Sequence, residues 1–219
     1  CKRVVTAMGF DFDSGRMDMI DAHPSCGGSP GYVWFTTDFF EDNFLKALYS
    51  TIHEAGHGLY EQNLPKQWLH QPAGSSAGMS VHESESRIME VQACHTKEFF
   101  KYLEKQARDI FNRPEDPALS AENLVRLINR PEPSFIRTQA DELTYAAHVI
   151  LRHKIEKAII EGNMTIDELP KAWNDGMQQL LGITPPGPSK GHMQDVHWPT
   201  GSVGYFPAYT LGDMIAAQL

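Results

Sequence analysis

Two histidines four residues apart, with a glutamate directly after the first, form the strongest chemical pattern in the sequence. They are His53, Glu54 and His57 in the segment HEAGH, which has the H-E-x-x-H spacing. On a helix this separation turns both imidazoles to one side, one turn apart, so that both can reach one metal ion. Zinc accepts imidazole ligands and lowers the pKa of its water to about 7. The pattern therefore predicts a zinc site with Glu54 as general base, because Glu54 projects beside the ligands and can touch that water.

A long amphipathic helix is predicted around this pattern, from about residue 38 to Leu64-Pro65. Apolar residues recur at steps of three and four along one face, at Phe44, Leu48, Ile52, Ala55 and Leu59. The alternative interpretation is a pair of surface histidines beside a glutamate that forms a salt bridge. The helical setting favours the metal site over that alternative.

A third metal ligand must come from elsewhere in the chain, because a catalytic zinc site has three protein ligands and one open position. Glu83 is a candidate, since it lies at the predicted start of the next helix and can face the first helix across an antiparallel turn. By spacing alone the other candidates are Glu61, His82 and Glu90. His82 and Glu90 could also stand behind the ligands rather than bind the metal.

The remaining sequence predicts a mainly α fold, with a short strand element near the site. Residues 1–37 are interpreted as loops with one strand at Tyr32–Thr37, and residues 191–209 as ordered irregular structure. Thr165 and Glu168 form a predicted capping box. The further helices are predicted at about 84–111, 120–130, 135–161 and 165–181. We expect residues 1–219 to form a single catalytic domain.

Composition narrows the classes of partner. The net charge of −9 argues against nucleic acid and against an anionic membrane surface as the main partner. There is no run of 18 apolar residues, so no membrane span is predicted. The three cysteines form no Cys-x-x-Cys pair, which predicts free thiols in a reducing compartment. A cytoplasmic protein is the resulting expectation.

Several spaced segments resemble one family, the Taq-type zinc metallocarboxypeptidases. They occur in the family's order, as Gly9-Phe10-Asp11, HEAGH, His82-Glu83-Ser84, IRTQAD at 136–141, GHMQDVHW at 191–198 and Gly204-Tyr205-Phe206-Pro207. The resemblance implies a mostly helical exopeptidase that acts on peptides, with zinc, or cobalt as an alternative, bound by His53, His57 and Glu83. It favours Glu83 over its rivals, and a homodimer is compatible with the family.

The resemblance also implies roles for residues outside the metal pattern. A carboxypeptidase must hold the α-carboxylate of its substrate, and Arg137 is the candidate, since a guanidinium binds a carboxylate with two hydrogen bonds. His197 and Tyr205 are candidate catalytic donors to the oxyanion, with Tyr209 as an alternative. Either Asp141 or Asp195 is expected to orient a ligand imidazole. The other predicted substrate-binding residues are His23, His148 and Tyr209.

The chain departs from the family pattern in places that bear on activity. The family's D-x-R-x-T aligns with YVWFT, so that Tyr32 and Trp34 replace the acid and the arginine, and Glu85 replaces a glutamine. The chain resembles the C-terminal catalytic part of the family, shortened at both ends. The predicted function is a zinc metallocarboxypeptidase. The alternatives are a catalytically weak or inactive metal- or peptide-binding member of the same fold, and a zinc hydrolase of another small amide.

Overall fold

The computed structural model describes residues 1–20, 23–29 and 31–219. These residues form eight α-helices and three strands, so the predicted mainly α fold is confirmed. The chain divides into two compact units, one of Cys1–Cys94 with Leu211–Leu219 and one of His95–Thr210. The single catalytic domain over 1–219 stays a prediction.

Among the described residues, no helix is both long enough and apolar enough to cross a membrane. The three cysteines are free thiols.

The helices account for most of the regular structure. In chain order they are α1 (Lys2–Met8), α2 (Phe44–Gln62), α3 (Met79–Arg87), α4 (Lys97–Phe111), α5 (Ala121–Ile128), α6 (Glu142–Ile160), α7 (Leu169–Leu181) and α8 (Pro207–Ala216). The helix predicted around HEAGH is present as α2, but it begins later than predicted, because the side chain of Asn43 accepts a hydrogen bond from the amide of Lys46 and caps it there.

One continuous helix from about Ser84 to Phe111 was a wrong prediction. The segment starts earlier, as α3, continues as a π-helix at Ile88–Ala93, and begins again as α4. The new start has a local cause, since the Thr96 hydroxyl accepts a hydrogen bond from the amide of Phe99. A π-turn is a rare departure within a helix, and such turns are frequent at functional sites.

A small sheet lies beside α2 in the first unit. Its strands are β1 (Gly15–Met19), β2 (Cys26–Ser29) and β3 (Tyr32–Thr37), in the order β1-β3-β2. β3 pairs in parallel with β1 and antiparallel with β2. The predicted strand at Tyr32–Thr37 is confirmed, but the interpretation of the rest of 1–37 as loops was wrong. The short strands β1 and β2 depend on pairing with β3 rather than on an apolar pattern of their own.

Packing between α2 and its neighbours explains why the helix is held in place. Val33 and Phe35 are two positions apart and so share one face of β3, where they are buried with Phe10 and with Ala55 of α2. On another side of α2, α3 approaches closely at Gly56. A Cβ atom built on Gly56 would lie 2.6 Å from the Cα of Ser86, so that only glycine permits this approach.

The second unit is built mainly from helices. Its core includes Trp173 and Met177 of α7, packed against Leu151 and Ile155 of α6. The predicted caps of two elements are present, Ser120 at α5 and the Thr165 capping box before α7. The predicted helix at 135–161 starts only at Glu142, and the predicted irregular segment at 191–209 includes the start of α8.

Candidate metal centre

Three predicted ligands meet at one point in the first unit. The Nε2 atom of His53 lies 3.6 Å from Oε2 of Glu83, and that of His57 lies 3.8 Å from the same oxygen. A tetrahedral zinc ion with bonds of about 2.0–2.2 Å holds its ligand atoms roughly 3.3–3.6 Å apart. The two histidine–glutamate distances are close to this, and all three ligand atoms lie within 4.8 Å of one another. Two imidazoles with a carboxylate are donors that zinc accepts. The three residues therefore fit a single metal ion.

The local fold explains how these side chains come together. The spacing of four places His53 and His57 on the same side of α2, with ring centroids 4.8 Å apart. The close approach at Gly56 brings α3, which carries Glu83, against that side. Glu83 is also packed from behind, because a Cβ atom on Gly212 would lie 2.7 Å from its Cβ. Backbone contacts on both sides thus fix the position of α3.

His53 is oriented by a chain of charged groups. Its Nδ1–H donates to Oε2 of Glu90 at 2.8 Å, and NH1 of Arg87 donates to the same oxygen at 2.8 Å. The Nε atom of Arg87 in turn donates to Asp213. With Nδ1 committed to Glu90, the Nε2 atom of His53 is directed towards Glu83. The π-helix at Ile88–Ala93 is the element that presents Glu90.

His57 has a different partner behind it. Its Nδ1 lies 2.8 Å from Nδ1 of His82, and Nε2 of His82 lies 2.8 Å from Oε1 of Glu61. The other three candidates for the third ligand therefore lie on the Nδ1 side of the histidine rings, away from the Nε2 atoms. Glu90 and His82 contact the rings directly, and Glu61 contacts His82. The structure brings Glu83 to the ligand position instead.

Burial and charge shift the pKa values of the central groups. Burial, reinforced by the charges of Glu83 and Glu90, raises the pKa of Glu54 to about 7. Burial lowers the pKa of His57 to about 2, with the neighbouring histidines acting in the same direction. For His53 the effect of burial is outweighed by the hydrogen bond and charge of Glu90, which raise its pKa to about 9. Glu54 is thus a buried carboxylate whose pKa suits proton transfer near neutral pH.

The predicted substrate residue Arg137 lies in the second unit, in a buried ionic cluster. Its Nε and NH2 donate to Oδ1 of Asp195 at 3.0 and 2.9 Å, and its NH1 donates to the hydroxyl of Tyr145 at 2.9 Å. Arg152, fully buried, donates to the other oxygen of Asp195 at 2.6 Å. Burial alone would raise the pKa of Asp195, but the two guanidinium groups hold it below its ordinary value.

Aromatic residues predicted from the resemblance gather near this cluster within the second unit. Nε2 of His197 lies 2.9 Å from the hydroxyl of Tyr209, and the rings of Tyr205 and Tyr209 meet edge to face at 5.3 Å. The guanidinium of Arg137 lies 4.6 Å from the Tyr209 ring centroid. His148 is fully buried, and burial with the charges of two arginines lowers its pKa to about 4.

Of the remaining predicted groups, His23 and Asp141 make local contacts, and Asp195 belongs to the ionic cluster. His23, in the first unit, has its Nδ1 2.6 Å from the carbonyl oxygen of Pro24. The expectation that Asp141 or Asp195 orients a ligand imidazole was wrong. Asp141 caps α6 through the amides of Leu143 and Thr144, and Asp195 binds the two arginines. Glu90 and His82 contact the imidazoles instead, each at 2.8 Å, and they lie on either side of Ser86, where α3 approaches Gly56.

Several residues of these clusters had no predicted role. The unrecognised members are Arg87, Asp213, Tyr145 and Arg152. Arg87 lies three residues before Glu90, a helical spacing at which an arginine and a glutamate commonly pair, so this pair had a visible signal. Arg152 lies far in sequence from Asp195, and such a pair has no local signature.

The fold and the site together define a mainly helical protein in which an H-E-x-x-H pattern and a following glutamate form a candidate metal site. The family model of the carboxypeptidase Taq (M32) metallopeptidases matches residues 1–219. The chain belongs to this family, which confirms the resemblance inferred from the motifs.

Named relatives agree with this assignment. The chain is 42% identical over 213 residues to Carboxypeptidase 1 of Bacillus subtilis, covering 97% of this chain and 42% of the relative. It is 40% identical over 216 residues to Thermostable carboxypeptidase 1 of Thermus thermophilus, covering 98% and 42%. The solved structure of Trypanosoma cruzi metallocarboxypeptidase 1 matches with a TM-score of 0.93 and 40% identity, over 100% of this chain and 45% of that one. The chain thus spans less than half the length of these relatives.

Proposed function

We propose that this chain holds the zinc centre and general base of a metallocarboxypeptidase, which removes C-terminal residues from peptides. The observation that carries this function is the convergence of His53 Nε2, His57 Nε2 and Glu83 Oε2, with buried Glu54 adjacent in the same helix. Membership of the M32 family supports the reaction class, and the relatives named as carboxypeptidases support the exopeptidase activity.

Zinc is the metal that we propose, with cobalt as an alternative. The two imidazoles and one carboxylate match catalytic zinc sites, which keep one position open for water or substrate. The hydrogen bond from His53 to Glu90 supports this choice, because a carboxylate behind a ligand imidazole fixes its orientation and strengthens it as a donor. The acidic and imidazole groups around the site also favour a divalent cation.

Proton transfer is the role that we assign to Glu54. Bound zinc would polarise the substrate carbonyl and lower the pKa of a water molecule. Glu54 would accept the proton of the attacking water and deliver it to the leaving amine. The raised pKa, about 7, supports both steps, since a group that titrates near the working pH can accept and release a proton. A positioned general base typically contributes about 10²- to 10⁴-fold to the rate.

The proposed substrate contacts come from the family resemblance, together with chemistry visible in the second unit. Arg137 would bind the α-carboxylate, and its five N–H groups exceed the three hydrogen bonds that it makes to Asp195 and Tyr145. His197 and Tyr205 would donate to the developing oxyanion. The further substrate contacts that we propose are His23, His148 and Tyr209. A homodimer and a cytoplasmic location stay predictions from the sequence.

The test is hydrolysis of blocked dipeptides and of their C-terminal amides by the zinc-loaded chain. We expect cleavage of the free acids and little cleavage of the amides, because the substrate carboxylate contributes to binding. Glu54→Gln should reduce kcat by about 10²- to 10⁴-fold while zinc binding is kept. The exposed Glu98→Gln is the matched control and should behave as the parent. Equal cleavage of acids and amides would contradict the exopeptidase assignment.

A second candidate function is metal or peptide binding without efficient turnover. It is favoured by Tyr32 and Trp34 on β3, at the positions where the family pattern has an acid and an arginine. Zinc binding by the parent, with the same low activity in parent and Glu54→Gln, would favour this alternative.

A further inference from the structure

Glu61 and His82 form a continuous hydrogen-bonded line with the metal ligand His57. The two Nδ1 atoms of His57 and His82 are 2.8 Å apart, and Nε2 of His82 is 2.8 Å from Oε1 of Glu61. All three side chains are at least two-thirds buried, with exposed fractions of 9%, 12% and 33% for His57, His82 and Glu61. The three hydrogen-bonded side chains are therefore largely shielded from water, so that each proton in the line has a defined position.

The positions of the protons follow from the chemistry of the three groups. A short contact between two ring nitrogens requires one of them to carry a proton and the other to offer a lone pair. An ionised carboxylate only accepts, so Glu61 requires a proton on Nε2 of His82. Neutral His82 then has its lone pair on Nδ1 and accepts the Nδ1–H of His57. This leaves the Nε2 lone pair of His57 directed towards the ligand position.

We propose that Glu61 and His82 are positioning residues that fix the tautomer and ring orientation of His57 for metal binding; this role rests on the metal centre proposed above. The opposite arrangement places the proton of His57 on Nε2, where it blocks the metal bond. Glu61 disfavours that arrangement, because His82 could donate through Nδ1 to His57 and through Nε2 to the carboxylate only with protons on both ring nitrogens. Removing either group therefore weakens the binding of zinc.

Neighbouring contacts hold His82 in this orientation. The ring of Tyr60 meets the His82 ring edge to face, with centroids 5.0 Å apart. The Tyr60 hydroxyl accepts a hydrogen bond from the amide of Ala77, just before α3 begins. His82 also lies directly before the ligand Glu83 on α3. A single short helix thus presents one group that binds the metal and one that orients its partner.

The first measurement is zinc affinity, by competition with a chromophoric chelator, for the parent and for His82 variants. His82→Leu should weaken zinc binding by about 10- to 100-fold, the usual effect of losing a partner behind a ligand. His82→Asn should recover part of this loss, because its side-chain oxygen can accept the Nδ1–H of His57. His153→Leu, at an exposed histidine, is the control and should match the parent. Equal zinc affinity in parent and His82→Leu overturns the role.

The second measurement reads the tautomers directly, by long-range ¹H–¹⁵N NMR of the metal-free parent, because in the zinc-loaded protein a bond from zinc to Nε2 would itself place the His57 proton on Nδ1. We expect His57 to carry its proton on Nδ1 and His82 on Nε2, and a proton on Nδ1 of His82 overturns the role. Glu61→Ala should lose less zinc affinity than His82→Leu and should show a mixed His82 tautomer. If His82→Leu does not fold, the result for Glu61→Ala tests the positioning role in its place. A parent that binds no zinc refutes the metal centre itself, which separates the two failures.

Discussion

The glycine between the two metal histidines should be essential for the geometry of the site. In Gly56→Ala the new Cβ atom would lie 2.6 Å from the Cα of Ser86, about 1 Å short of an ordinary carbon contact of roughly 3.5–4.0 Å. Its other near neighbours are the carbonyl oxygens of Glu85 and Ser86, at 3.1 and 3.3 Å. All of these are backbone atoms, so no side-chain rotation relieves the contact and α3 must move.

Two effects of opposite sign determine the outcome of Gly56→Ala. Alanine is favoured over glycine inside a helix by about 1 kcal/mol. Overpacking against a rigid backbone costs about 1–3 kcal/mol, and the absence of a flexible neighbour favours the upper part of this range. We expect a net loss of about 1–2 kcal/mol in the free energy of unfolding. Zinc affinity should fall on the order of tenfold or more, because α3 carries Glu83 and binding sites tolerate shifts of only about 0.5 Å.

Urea unfolding followed by tryptophan fluorescence, with zinc affinity measured by chelator competition, tests this expectation. Gly176→Ala in α7 is the control, since it makes the same change in a helix but meets side-chain atoms of Leu151 rather than backbone. The control should leave zinc affinity unchanged. A Gly56→Ala protein that is stabilised by about 1 kcal/mol, with the zinc affinity of the parent, would refute the reasoning.

Three further predictions concern stability. Asp195→Asn should destabilise the protein by about 3–5 kcal/mol in urea unfolding, because it leaves Arg137 and Arg152 buried without their shared carboxylate; a loss below about 1 kcal/mol contradicts this. The pKa of His148 is lowered to about 4 in the folded protein, so the unfolded chain binds the proton first. Stability should therefore fall by up to about 3 kcal/mol as the pH drops from about 6.5 to 4, and His148→Gln should flatten that part of a pH series of unfolding measurements. Asn43→Ala should cost about 1 kcal/mol by thermal unfolding through loss of the α2 cap, with unchanged zinc affinity as the check that only the helix end is affected.

Elements with a strong local pattern could be predicted from the sequence. The apolar face of α2, the strand Tyr32–Thr37 and the caps at Ser120 and Thr165 all rest on residues close together in the chain. The strands β1 and β2 were missed, because their stability comes from pairing with β3 rather than from their own residues. The π-helix was also missed, because it is a rare, short turn that the helical periodicity of its residues does not reveal.

The candidate site divides in the same way. His53 and His57 follow from helical spacing, and Glu83 joined them only through the family motifs. The partners behind them are fixed by contacts across helices, so spacing alone left Glu90 and His82 among several possible roles. The ionic cluster of the second unit was harder still, because its carboxylate and its arginines are separated by more than forty residues.

The most direct test of the metal centre is anomalous diffraction from crystals of the zinc-loaded protein, recorded on both sides of the zinc absorption edge. The predicted result is one strong zinc peak, bonded to Nε2 of His53, Nε2 of His57 and a carboxylate oxygen of Glu83, with one zinc ion per chain by metal analysis. A zinc peak bonded to other residues, or full zinc content in a His53→Ala, His57→Ala double variant, would contradict the account.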